Sequence, residues 1–182
     1  MGIEIEKKYR LTREEHELLQ LRLHEIKAEK KGEEFEENIL FAGGVLSERA
    51  CVLRLRRVGN SALLTYKERF PSSSAIKRQR EDETGVEDPK AMLDILNALG
   101  FTPALVYEKR RSTWRVGETE VAVDELPFGL FAEIEGEEEE IEKAEEFLGL
   151  SNSKAELATY PQLTHKFGKE RDGIIEARFK KP

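Results

Sequence analysis

Along most of this chain apolar and polar residues alternate with a period of two, and a few stretches switch to helical spacing. Leu18, Leu19, Leu21, Leu23 and Ile26 follow the capping box Thr12-Arg13-Glu14-Glu15 and predict a helix over about 13–30. A second helix starts at Asp88-Pro89, carries Met92, Leu93, Ile95, Leu96 and Leu99, and ends at Gly100. A third runs from near Glu137 to Leu148, with glutamates in its first turn and Gly149 closing it. A short fourth is expected around 160–169. Strands are predicted over 3–9, 38–41, 51–58, 62–68, 75–84, 107–116, 119–125 and 130–135. Gly43-Gly44, Gly59-Asn60-Ser61, Pro71 to Ser74, Gly117-Glu118 and Pro127-Phe128-Gly129 supply the turns between them. Residues 151–154 read as a polar loop and 178–182 as a frayed end, and nothing divides the single domain spanning 1–182.

The polar faces of these strands are charged in a consistent way. Period two sets Glu4, Glu6 and Lys8 against Ile3, Ile5 and Tyr9, then Arg54 and Arg56 against Leu53 and Leu55, and Thr65 and Lys67 against Leu64 and Tyr66. Lys109, Arg111 and Thr113 share a face, as do Ala122 and Asp124, and Glu133 and Glu135 flank Ile134. Between Lys77 and Glu83 both faces are charged, so Lys77, Glu81 and Glu83 are grouped by parity alone. One explanation is a sheet with a solvated outer side carrying weak surface ion pairs. Against it, acids cluster with acids and bases with bases across six or more strands, where interleaving would cost less. The alternative is an α+β fold: an eight-stranded antiparallel β-barrel, charged within, apolar without and covered outside by helices. Its carboxylates, without histidine or thiolate, suit a hard divalent cation such as Mg²⁺ or Mn²⁺, and its arginines and lysines suit a ligand with several phosphoryl groups.

Composition narrows the setting. A chain of 182 residues buries roughly 70% of its unfolded surface and needs no staple. Its one cysteine, Cys51, allows no internal disulfide and reads as a small buried apolar residue. No apolar run is long enough to span a membrane, and acids stand where a secretory signal needs bases, so a cytoplasmic protein is expected. The net charge of −7 is local: nine glutamates against one lysine lie between Glu133 and Glu146. Nothing resembles the basic excess of a nucleic-acid coat. Gly43-Gly44 lacks the lysine of a P-loop, and Trp114 and Tyr66 fall on the apolar parity as shell packing.

Glu4-Ile5-Glu6-Lys7-Lys8 matches an E-x-E-x-K signature, followed in order by Leu53-Arg54-Leu55-Arg56, Leu64-Thr65-Tyr66-Lys67, Arg80-Glu81, Lys109-Arg110-Arg111, Val123-Asp124, Gly129 to Glu135, and Tyr160. Over residues 3–160 the chain thereby resembles the CYTH superfamily, the triphosphate tunnel metalloenzymes that include class IV adenylate cyclases and thiamine triphosphatase-like proteins. The resemblance implies an eight-stranded tunnel open at both ends and metal-dependent chemistry on a triphosphate. Two features differ: Ala42-Gly43-Gly44 stands where many members carry an aspartate-bearing turn, and the histidine and arginine-proline signature of well-studied class IV cyclases is not evident.

On this basis Lys8, Arg54, Arg56, Lys67, Lys109 and Arg111 are expected to hold phosphoryl oxygens. Glu4, Glu6, Glu81, Asp124, Glu133 and Glu135 are expected to bind Mg²⁺ or Mn²⁺. Glu4, Glu6 and Lys8 form the catalytic set, and the proton acceptor is either Lys8 or water activated by the metal. His16, His24 and His165 lack ligand spacing and read as surface residues. The leading expectation is hydrolysis of inorganic tripolyphosphate or of a nucleoside or other organic triphosphate. The alternatives are conversion of ATP to cyclic AMP and pyrophosphate, and binding without turnover. The expected partner is a triphosphate-bearing small molecule, with neither nucleic acid nor membrane involved, and a homodimer stands as the oligomeric alternative to a monomer.

Overall fold

The computed structural model describes residues 2–49, 51–70 and 75–180. Eight antiparallel strands close a barrel in the order β2-β3-β4-β5-β1-β8-β7-β6, with β6 pairing back to β2. They are β1 (Gly2–Leu11), β2 (Glu29–Ala42), β3 (Cys51–Val58), β4 (Ser61–Arg69), β5 (Lys77–Val86), β6 (Thr102–Val116), β7 (Thr119–Leu126) and β8 (Gly129–Glu135). The helices are α1 (Arg13–Glu25), α2 (Pro89–Ala98), α3 (Glu138–Leu148) and α4 (Tyr160–Phe167). A hairpin of β9 (Lys169–Arg171) and β10 (Ile174–Ala177) joins the edge of β6, with β10 parallel to it. No helix among the described residues is long and apolar enough to cross a membrane.

The barrel wears its apolar core on the outside. One cluster lies between α1, α3 and the outer faces of β1, β6, β7 and β8, where Leu19 and Leu23 meet Ile141, Ala144 and Leu148 over Trp114, Val121 and Ile134. A second lies under α2, where Leu96 covers Ile39, Leu55 and Val106. A third is different in kind. Leu40, Leu105, Tyr107, Leu126 and Phe131 share strand parity with the charged residues of the interior, and Tyr160 and Leu163 of α4 pack on them. The end of the barrel under α4 is therefore lined by apolar side chains, whereas the rest of the interior is charged.

Four expectations change. The first helix ends at Glu25, because Lys27 takes a left-handed conformation (φ 55°) while Ala28 N–H bonds to Leu23 O, a helix-ending motif in which glycine usually stands. The chain then enters β2 nine residues earlier than predicted, through a charged stretch that pairs with β6 from Glu29 onward. β6 in turn begins at Thr102, with Pro103 next to a bulge at Leu40/Phe41. The C-terminal segment is anchored up to Phe179: Arg178 reaches Glu37 (2.7 Å) and Glu108 (3.0 Å), and the Phe179 N–H donates to Glu108 (2.7 Å). Gly43 (φ 118°) is required where β2 leaves the barrel, since a Cβ there would lie 2.2 Å from Gly100 O. The turn expected at Pro71 to Ser74 lies outside the described residues, as do residues 181 and 182. Trp114 is core as expected, whereas Tyr66 is half-buried on the outer face under the Arg80 guanidinium.

Candidate functional site

Because each strand alternates, the side chains that an ordinary sheet turns to water are here turned inward, around a cavity of about 530 Å³. Glu4, Glu6, Lys8, Arg54, Arg56, Lys67, Glu81, Lys109, Arg111, Glu133 and Glu135 all line it, drawn from six of the eight strands by the parity read from sequence. Asp124 does not. Its carboxylate is fully buried behind the wall, where it accepts two hydrogen bonds from Arg111 (2.8 and 2.6 Å) and one from the Tyr160 hydroxyl (2.7 Å). In that placement Asp124 anchors the Arg111 guanidinium and the first turn of α4. Cys51 is also displaced from its expected role, standing half-buried on the cavity wall.

Acids gather toward one end. The start of β1 brings Glu4, the end of β8 brings Glu135, and β5 and β7 add Glu81 and Glu120. Lys67 bridges two of them, with Nζ 2.8 Å from Glu4 and 2.5 Å from Glu81, and Gln79 donates to Glu4 at 2.6 Å. Burial and then the carboxylates of Glu4, Glu120 and Glu6 push Glu135 up to about 7. Burial also raises Glu6, with Glu133 adding to it and Lys77 opposing it.

Cations fill the middle. Arg111 holds Asp124 in a two-point pair and also reaches Glu133. Lys109 lies 3.4 Å from Glu36 and 3.5 Å from Asp124, and Arg56 lies 3.7 Å from Glu36. Arg54 donates to the Thr65 hydroxyl at 3.2 Å. Lys8 sits 3.9 Å from Glu133 and over the ring of Tyr160, 4.2 Å from its centroid, and burial brings its ammonium down to about 8. The Nε atoms of Arg54 and Arg56 are buried without a hydrogen-bond partner. Donors of this kind are costly to leave unmade. None of the three histidines lines the cavity; His24 instead packs edge-on against Trp114 at 5.1 Å.

Several participants were not singled out from sequence. Glu36 and Asn38 are fully buried on β2 beside Lys109 and Arg56; Glu36 precedes the strand as read from sequence, and Asn38 is its first residue. Glu120 and Gln79 follow the parity of strands that were recognised. Among the described residues, no three acidic, histidine or cysteine side chains converge as a ready-made metal site. The donor set still fits a hard divalent cation, being all carboxylate oxygen, with burial and then the neighbouring carboxylates raising Glu135.

A family model described as the CYTH domain matches residues 2–159. Among solved structures, the fold is similar to PH1012 of Pyrococcus horikoshii OT3, with a TM-score of 0.76 and 24% identity over 88% of this chain and 98% of that one. PH1819 of the same organism gives 0.73 and 26% over 90% and 98%. HpAC1 of Hippeastrum, described as a candidate adenylyl cyclase with a dominant triphosphatase activity, gives 0.68 and 23% over 88% and 93%. No curated protein matches the chain.

Proposed function

Because the chain belongs to the CYTH family, we propose that it hydrolyses a triphosphate inside its barrel with the help of Mg²⁺ or Mn²⁺. The observation that carries this reading is the juxtaposition of a carboxylate end with a wall of cations in one cavity. A triphosphate supplies both needs, since its oxygens satisfy the cations and its bound cation satisfies the carboxylates. The triphosphatase activity in the description of HpAC1 supports the same choice.

Arg54, Arg56, Lys109 and Arg111 orient the phosphoryl oxygens, and their charge offsets the negative charge that grows on the leaving phosphate. They are set before substrate arrives, because Asp124 and Glu36 hold Arg111 and Lys109 from behind. Lys67 holds Glu4 and Glu81 in place, a pair that would contribute to holding a divalent cation. Glu4, Glu6, Glu81, Glu133 and Glu135 are the residues that would hold the cation, which when bound supplies Lewis-acid neutralisation of phosphoryl oxygens. Lys8 at Nζ can hold a phosphoryl oxygen or pass a proton, and no histidine competes for that task. Replacing Glu4 and Glu6 together by glutamine should lower metal-dependent phosphate release by at least about 100-fold with the circular dichroism spectrum unchanged. Full activity in that folded variant would place the chemistry elsewhere.

A further inference from the structure

One buried cation of the barrel interior stands apart from the cavity. Lys77, the first residue of β5, is only 6% exposed, yet it does not line the cavity wall. Its Nζ has no hydrogen-bond partner among the described residues, and its ion-pair partner, Oε1 of Glu6, lies 3.5 Å away. A buried ammonium with unmade hydrogen bonds costs stability, and an apolar side chain of similar volume would remove that cost, so packing does not account for it. What reaches the site is its field, which acts on Glu6, Lys8 and Glu133 together.

The strand register shows where that charge stands. On the inner face, directly opposed residues form a row across four neighbouring strands: Glu120 of β7, Glu135 of β8, Glu6 of β1 and Lys77 of β5. Three carboxylates in succession repel one another unless positive charge lies among them. Lys77 supplies that charge at the Glu6 end. At the other end Glu135 feels Glu4, Glu120 and Glu6, with Lys67 opposing them. Lys67 and Lys8 also pair with carboxylates here, but both line the cavity, where phosphoryl oxygens can draw them away. Lys77 is behind the wall and stays with Glu6 whatever the cavity holds. At that distance a fixed positive charge opposes a divalent ion beside Glu6 more strongly than a monovalent one. We infer that Lys77 is a positioning residue that takes the place of a second divalent cation beside Glu6, so that the carboxylate end holds a single divalent cation on the side of Glu4 and Glu135. This rests on the metal-dependent reading of the cavity and sets its stoichiometry.

Mn²⁺ uptake, read from the electron paramagnetic resonance of the free ion with no phosphate present, tests this without turnover. The native chain should take up one Mn²⁺. Lys77→Met keeps the bulk and removes the charge, and it should take up a second Mn²⁺ with a Kd within about tenfold of the first. Lys77→Arg should return the count to one, which a loss of packing alone would not explain. Two Mn²⁺ of similar affinity on the native chain would overturn the inference without any variant. So would a single Mn²⁺ on a Lys77→Met chain whose circular dichroism is native. Should Lys77→Met fail to fold, Lys77→Gln carries the same expectation and the same contrary result. Either contrary count leaves metal-dependent hydrolysis of a triphosphate standing. If the native chain takes up no Mn²⁺ at all, the carboxylates hold no cation, and the metal-dependent reading fails together with this inference.

Discussion

Glu36 is fully buried, with Lys109, Arg56 and Arg111 around it, and its carboxyl titrates well below the ordinary 4.5. Burial works against the charged form, and these three cations more than reverse it. A carboxyl depressed in the folded state contributes stability that is fully present above its unfolded value and is lost as pH falls through the folded one. Stability to urea should therefore decline as pH drops below 4.5, and Glu36→Gln should flatten that decline. At neutral pH the same change should cost about 3–5 kcal/mol, because it strips buried cations of their partner. An unchanged acid limb in the variant would mean that other carboxylates govern the transition. This residue was invisible in the sequence for a plain reason: Glu33-Glu34-Phe35-Glu36-Glu37 carries acids on both parities, so nothing marks one of them as inward. Asp124 shows the opposite limit. Parity placed it on the inner face correctly, but only the structure reveals that Arg111 and Tyr160 close over it and keep it from the cavity.

Elements whose pattern is local were legible. The capping box at Thr12, the proline at the start of α2, the glycine after α3 and the hairpin at Gly117 all stand where the residues place them. What escaped was decided by pairing at a distance. β2 is held along its charged first half by β6, which the charges of Glu29 to Glu37 do not announce, and β10 gains its register only from the free edge of β6 beyond β7. The overlong first helix has a more specific cause, since Lys27 performs a turn that normally announces itself through glycine. Its side chain is exposed, so Lys27→Gly should remove the left-handed penalty at no loss of packing and stabilise the protein by about 1 kcal/mol in chemical denaturation. Destabilisation would show that the Lys27 conformation is held by more than its backbone.

At the scale of the whole molecule, the barrel inverts the usual arrangement by placing apolar clusters outside the strands and a charged cavity within. Such an interior is incomplete by itself, because buried charges balance one another only in part and some donors stay unmade. A bound triphosphate should therefore stabilise the fold. With cations chelated to prevent turnover, ATP at a hundred times its Kd should add about 2.7 kcal/mol. For a domain of this size that raises Tm by roughly 5–11 °C. No shift at millimolar ATP would deny that the cations form an anion site.

The claim that joins all three scales is that water attacks a triphosphate within this cavity. Phosphorus NMR of the products formed from ATP in heavy-oxygen water, with Mg²⁺ or Mn²⁺, tests it most directly. The structure predicts orthophosphate carrying the solvent label together with ADP, neither of them formed by the Glu4→Gln, Glu6→Gln variant. Cyclic AMP with unlabelled pyrophosphate would contradict hydrolysis and assign the cavity to a cyclase.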